Sequence, residues 1–169
     1  WITSRGLGDV YKRQIEEFVK NEQLDIEELD LGKDFDDAAK AHEIIMNGSI
    51  ANSLMNYYQT DKSNLHPFTV KRIEAGIPVS ASDYVSAIEQ AKKMEQILKQ
   101  FFKKYDAIIT PAAPGQAPRD LMNTGNAIFN GYWTMMGVPA ISLPFLKGKD
   151  DLPIGIQSVS YTHLRAHET

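Results

Sequence analysis

The chain has 169 residues, a net charge of −4, no cysteine and four histidines. The missing cysteines exclude disulfides, thiolate chemistry and cysteine metal sites, as expected of a cytoplasmic protein. An acidic balance without a basic cluster argues against nucleic-acid binding, and no apolar run approaches the roughly 20 residues needed to span a bilayer.

The two ends are set apart before the elements are read. One encoding of Ser4 to Gln14 (SRGLGDVYKRQ) has a reverse complement that translates as VSYTHLRAHE, which is Val159 to Glu168. Residues 1–14 and 159–169 are therefore read as translated sequencing-library adaptor and left out of fold reasoning. Without Arg5, Lys12, Arg13 and Asp9 (net +2) and the neutral pair Arg165 and Glu168, the interior carries about −6. The i,i+4 pair His163 and His167 lies in the second adaptor stretch, so no metal site is expected there. His42 and His66 stand apart from any carboxylate cluster, and neither a metal nor an organic cofactor is expected.

Residues 15–158 form one α/β domain in this reading. Ile15 to Lys20 closes a helix. Leu24 to Leu31 (LDIEELDL) alternates apolar and acidic residues and predicts a short edge strand. Asp34, Asp36 and Asp37 favour a helix start; Ala38, Ala41, Ile44 and Ile45 supply its buried stripe, and Gly48 is read as a point of division before Leu54 to Tyr58. Pro67 opens another helix that ends near Gly76. The clearest element is a long amphipathic helix from about Ser82 to Tyr105, which Ser80 or Ser82 can cap, Ser80-x-x-Asp83 approximating a capping box. Its apolar face is Tyr84, Ile88, Ala91, Met94, Leu98, Phe101, Phe102 and Tyr105. Glu89 with Lys93 and Glu95 with Lys99 are spaced as exposed ion pairs.

Beyond it the pattern changes to short strands. Ala107-Ile108-Ile109, stopped by Thr110-Pro111, predicts a buried strand. Asn126 to Met136 is apolar nearly all round and predicts a buried helix with Gly137 at its C-terminal cap. Pro139 to Pro144 and Leu152 to Gln157 predict two strands, whose prolines belong at a strand start or a sheet edge.

From Ala81 to Gln157 the chain resembles the amidase signature family. Four pieces carry the resemblance in order: SASDYVSAIEQ, YDAIITPAAP, FNGYWTMMGVPAISLP and LPIGIQ. Leu24 to Gly76 fits more loosely. The resemblance implies a fragment of the amidase-signature fold, a mixed sheet covered by helices, from the C-terminal part of a longer enzyme. It also implies amide hydrolysis by a serine nucleophile, a second serine in a cis peptide and a lysine base. The glycine- and serine-rich segment that carries those serines has no counterpart here. No catalytic residue is assigned, and the chain alone is expected to be inactive.

The resemblance places TGNAIFNGYWTMMG near the substrate, which nominates Asn126, Asn130, Trp133 and Thr134 as pocket residues. Tyr132 and Met136 would extend an apolar wall. Asn126 or Ala127 stands where some members carry a substrate-binding aspartate, which disfavours a glutamine substrate. The competing assignments are the glutaminase component of a tRNA-dependent amidotransferase and a non-enzymatic helical interaction module. A small-molecule amide is the expected partner, and homodimerisation, the particular amide and any signal peptide stay open.

Overall fold

The computed structural model describes residues 16, 19, 20, 25–35, 37–120, 125–148 and 151–161. The adaptor-like residues 1–14 and 162–169, and Leu24 and Asp36, lie outside them. The chain divides into two compact units: Lys33–Gln96, and residues 1–32 together with 97–169. No helix among the described residues is long and apolar enough to cross a membrane.

The first unit is helical. A 3-10 turn at Lys33–Phe35 precedes helix α1 (Ala38–Asp61), and a second 3-10 turn leads to α2 (Pro67–Gly76). Pro67 occupies the first turn of α2, where its missing N–H costs nothing, and His66 Nδ1 accepts from the Phe68 N–H. Ala38 and Ala41 are buried as expected, whereas Ile44 and Ile45 are half-buried. Gly48 does not divide α1, which is continuous. Its missing side chain instead admits the Tyr84 ring, which would lie 3.0 Å from an added Cβ, and Tyr84 Oη pairs with Ser49 Oγ at 2.9 Å. Gly76 approaches α1 even more closely. A Cβ there would collide with the Asn47 carbonyl and stand 2.7 Å from Ala51 Cβ. The helices meet where side chains are smallest.

Helix α3 (Ala81–Phe101) supplies residues to both units. Ser80 caps it: the Asp83 N–H donates to Ser80 Oγ at 3.0 Å, and the return bond runs from that hydroxyl to Asp83 Oδ2 at 2.7 Å rather than from the Ser80 backbone N–H of a full capping box. Ala91, Met94, Leu98 and Phe102 of the predicted face are buried, joined by Ala87. The helix ends at Phe101 rather than Tyr105. Lys104 and Tyr105 are both drawn to Glu27 Oε2, at 2.9 and 2.7 Å. Bonds to Tyr105 and then Glu27 push the Lys104 ammonium up to about 12, and bonds to Tyr105 and then Lys104 hold the Glu27 carboxyl below its usual range.

The predicted strand at Leu24–Leu31 is absent among its described residues, apart from a single bridge at Leu29. Acidic side chains fill that segment, Glu27 is engaged as above, and Asp30 Oδ1 accepts from the Gly32 N–H at 2.8 Å, turning the backbone with Gly32 at φ +76°. The second unit contains strands β1 (Ile108–Pro111), β2 (Ala140–Lys147) and β3 (Pro153–Val159), with helix α4 (Ile128–Met135) between the first two. They form an antiparallel sheet in the order β1-β3-β2. Pro153 starts β3, and Pro144 falls at a register shift between Leu143 and Leu146 in β2, which has no partner on its outer side among the described strands. Val159, Ser160 and Tyr161, read as adaptor, are structured here. Val159 is fully buried in β3, Ser160 Oγ donates to the Asp106 carbonyl at 2.7 Å, and Tyr161 stacks edge-on against Phe102.

Candidate substrate-binding surface

Strand register puts one polar row across the sheet. Thr110 of β1 and Ser142 of β2 both lie directly opposite Gln157 of β3. Directly opposed residues share a face, so the three side chains project together. Gln157 is 4% exposed and Thr110 2%, and neither Gln157 Oε1 nor Thr110 Oγ1 has a hydrogen-bond partner. Gly155, two residues before Gln157 on the same face, lets this row pack closely. A Cβ there would come within 2.6 Å of Ser142 Oγ and 2.8 Å of Ala112 Cβ.

Helix α4 lies over that face, because Gln157 Nε2 donates to Asn130 Oδ1 at 2.5 Å. The helix is not apolar all round. Phe129, Gly131, Trp133 and Met136 are buried, whereas Asn130 and Thr134, one turn apart, are exposed. Asn126 is exposed just before the helix, where its Oδ1 accepts from the Ile128 N–H at 3.0 Å. The sequence had suggested a buried element because the aromatic and methionine side chains outnumber the polar ones; the polar ones nonetheless share one face. At the other end, Gly137 adopts φ +65°, its N–H reaches the Thr134 carbonyl at 3.2 Å, and the Val138 N–H reaches the Trp133 carbonyl at 2.9 Å. These paired bonds are a Schellman cap, and the buried Val138 and Trp133 are its apolar bracket.

The structure therefore separates the four nominated residues. Asn126, Asn130 and Thr134 are exposed, whereas Trp133 is 3% exposed with its Nε1–H unpartnered. Tyr132 is half-buried, and burial raises its phenol above the ordinary range, so it stays protonated at neutral pH. Sequence reasoning passed over Thr110 and Gln157. Both stand in quoted motifs, ITP and LPIGIQ, and a polar residue closing a run of buried apolar ones was the available signal. Among the serines, Ser49 is engaged by Tyr84, Ser80 caps α3, and Ser142 belongs to the polar row.

The arrangement corresponds to part of an amide-hydrolase fold. The profile of the family described as Amidase matches residues 23–163, and the chain belongs to that family. A glutamyl-tRNA(Gln) amidotransferase component from Aliarcobacter butzleri is 32% identical over 115 residues, which are 62% of this chain and 25% of that protein. A fatty acid amide hydrolase of Medicago truncatula is 34% identical over 92 residues, 47% of this chain and 15% of that protein. A solved amidase structure superposes with a TM-score of 0.80 at 18% identity, covering 91% of this chain and 38% of that one. The chain thus spans a quarter or less of the length of these two curated relatives.

Proposed function

We propose that this chain is the C-terminal part of an amidase that hydrolyses a carboxylic amide through the Ser–cis-Ser–Lys mechanism, with all three catalytic residues supplied by sequence upstream. In that mechanism a serine oxygen attacks the amide carbon, the C–N bond breaks as the leaving amine takes a proton, and water releases the acid. This chain contributes substrate-binding surface: Asn126, Asn130 and Thr134 face the substrate, and Trp133 backs them from the core with Met136. The observation that carries the reading is the exposed polar face of α4 in a family of amide hydrolases.

The likeness to an amidotransferase component supports a second reading, a glutaminase that feeds ammonia to a tRNA-linked substrate. Asn126 and Ala127 offer no carboxylate for the ammonium group of glutamine, so we favour an apolar acyl amide. The test is ammonia release by the 169-residue chain and by the complete gene that encodes it. The expected result is no release by the chain, and faster release by the complete protein from an aryl or alkyl amide than from glutamine. Hydrolysis by the 169-residue chain that disappears when one of its own serines is replaced would overturn the proposal, as would a complete protein inert towards every amide.

A further inference from the structure

Two asparagines of the exposed strip have their acceptor oxygens committed within the protein. Asn126 Oδ1 accepts from the Ile128 backbone N–H, a group that can only donate, so the oxygen must point inward and the NH2 group outward. Asn130 is bonded to Gln157, and either amide could in principle donate to the other. Its direction follows from what lies beneath. Three buried polar atoms have no hydrogen-bond partner: the Trp133 Nε1–H, which can only donate, the Thr110 hydroxyl, which can donate or accept, and Gln157 Oε1, which can only accept. Turning Gln157 over would exchange a buried unmatched carbonyl oxygen for a buried NH2 group with two unmatched protons. Unmade bonds of buried groups are the costly ones. Gln157 therefore keeps its oxygen inward and donates Nε2–H to Asn130 Oδ1, which leaves Asn130 Nδ2 facing out.

We infer that Gln157 is a positioning residue and that the Asn126–Asn130–Thr134 strip presents hydrogen-bond donors, selecting substrates by a carbonyl or carboxylate oxygen rather than by an amino or ammonium group. This rests on the substrate-facing role of α4 proposed above and specifies its polarity. Thr134 contributes a hydroxyl one turn beyond Asn130, able to turn its proton towards the same acceptor.

The test is NMR of the 15N-labelled 169-residue chain, and it does not depend on hydrolysis. The Gln157 side-chain amide protons are expected to exchange slowly with deuterated solvent and those of Asn130 rapidly. Three probes follow: N,N-dimethylbenzamide, which only accepts through a neutral carbonyl; benzoate, which only accepts through a carboxylate; and benzylammonium, which only donates. The first two are expected to shift the Asn126 and Asn130 NH2 signals, the larger shift showing which oxygen the strip prefers, and benzylammonium is expected to leave them in place. Asn130→Asp keeps the inward oxygen for Gln157 but replaces the outward donor by an acceptor. Its Asn126 signal should lose the benzoate shift and gain a benzylammonium shift. Because residue 130 is exposed, this variant retains the fold, and Gln157→Leu should remove the discrimination at Asn130, which can then turn either way, while the Asn126 signal keeps it. Slow exchange at Asn130, no shift with any probe, or a benzylammonium shift in the unsubstituted chain would overturn the inference. Failure of the complete protein to hydrolyse amides would instead remove the proposed function and leave this hydrogen-bond direction standing.

Discussion

In the helical unit the close approaches are made by residues with almost no side chain, Gly48, Gly76 and Ala51, its buried Asn47 accepts from Arg72, and the Lys62 ion pair lies at the rim. Lys62 reaches Glu74 there at 2.7 Å, and Tyr58 donates to the same carboxylate at 2.9 Å. The sheet unit does the reverse. It buries Thr110, Gln157 and the Trp133 indole with polar atoms unmatched. Burial of an unmatched polar atom works against folding, and in the sheet unit several such atoms lie together with the exposed strip of α4. The contrast teaches where to look for function: in the sheet unit and its covering helix.

Four substitutions or conditions sharpen or break that comparison. The largest effect is expected from Trp133→Ala, which empties the volume beneath α4 and should destabilise the sheet unit by about 4 kcal/mol. It would be read as lost hydrogen-exchange protection in β1 and β3. A loss well under half of that would mean the indole is a movable wall rather than core. Next, Gly76→Ala forces a methyl group into the Asn47 carbonyl, a backbone atom that cannot swing aside. Denaturant melts should report a cost of about 3 kcal/mol, and a neutral result would show that α1 and α2 are not held by close approach. Ser80→Ala removes the reciprocal cap of α3 and should cost about 1 kcal/mol, visible as fraying of the first-turn amides from Asp83 to Val85. The smallest effect is a pH dependence at His42. Burial, and then the Arg72 guanidinium, hold its imidazole below the ordinary value of 6.5. The folded state thus prefers the neutral ring, its contribution is complete above that value, and it is lost as pH falls through the depressed one. Urea midpoints should decline in mild acid, and His42→Gln should flatten the decline.

Much of the fold was legible because local chemistry decided it. Pro67 and Gly76 bracket α2, Ser80 and Asp83 start α3, and Gly137 ends α4, each through a requirement on one or two backbone groups. Errors arose where distant partners decided. Leu24–Leu31 has the alternation of a strand, but Glu27 is taken up by Lys104 and Tyr105, far along the chain. Gly48 looked like a helix break because nothing nearby announces the Tyr84 ring that needs its space. The polar face of α4 was half legible. The i,i+4 spacing of Asn126, Asn130 and Thr134 was there to be read, but the depth of Trp133 depended on the sheet beneath it. Thr110 and Gln157 meet only through strand register, and their pairing could not be read from sequence positions 47 residues apart.

The irregularity in β2 bears on how the molecule behaves in company. A proline has no N–H to offer a newcomer, and the shift between Leu143 and Leu146 throws the following residues out of step. A second molecule arriving at this rim would find only Ala140 to Leu143 in register, fewer residues than an average strand. Although Ile141 is exposed on that stretch, fibre growth by edgewise stacking is interrupted almost as soon as it starts, and crowded solutions of the chain should stay clear longer than its apolar rim alone would suggest.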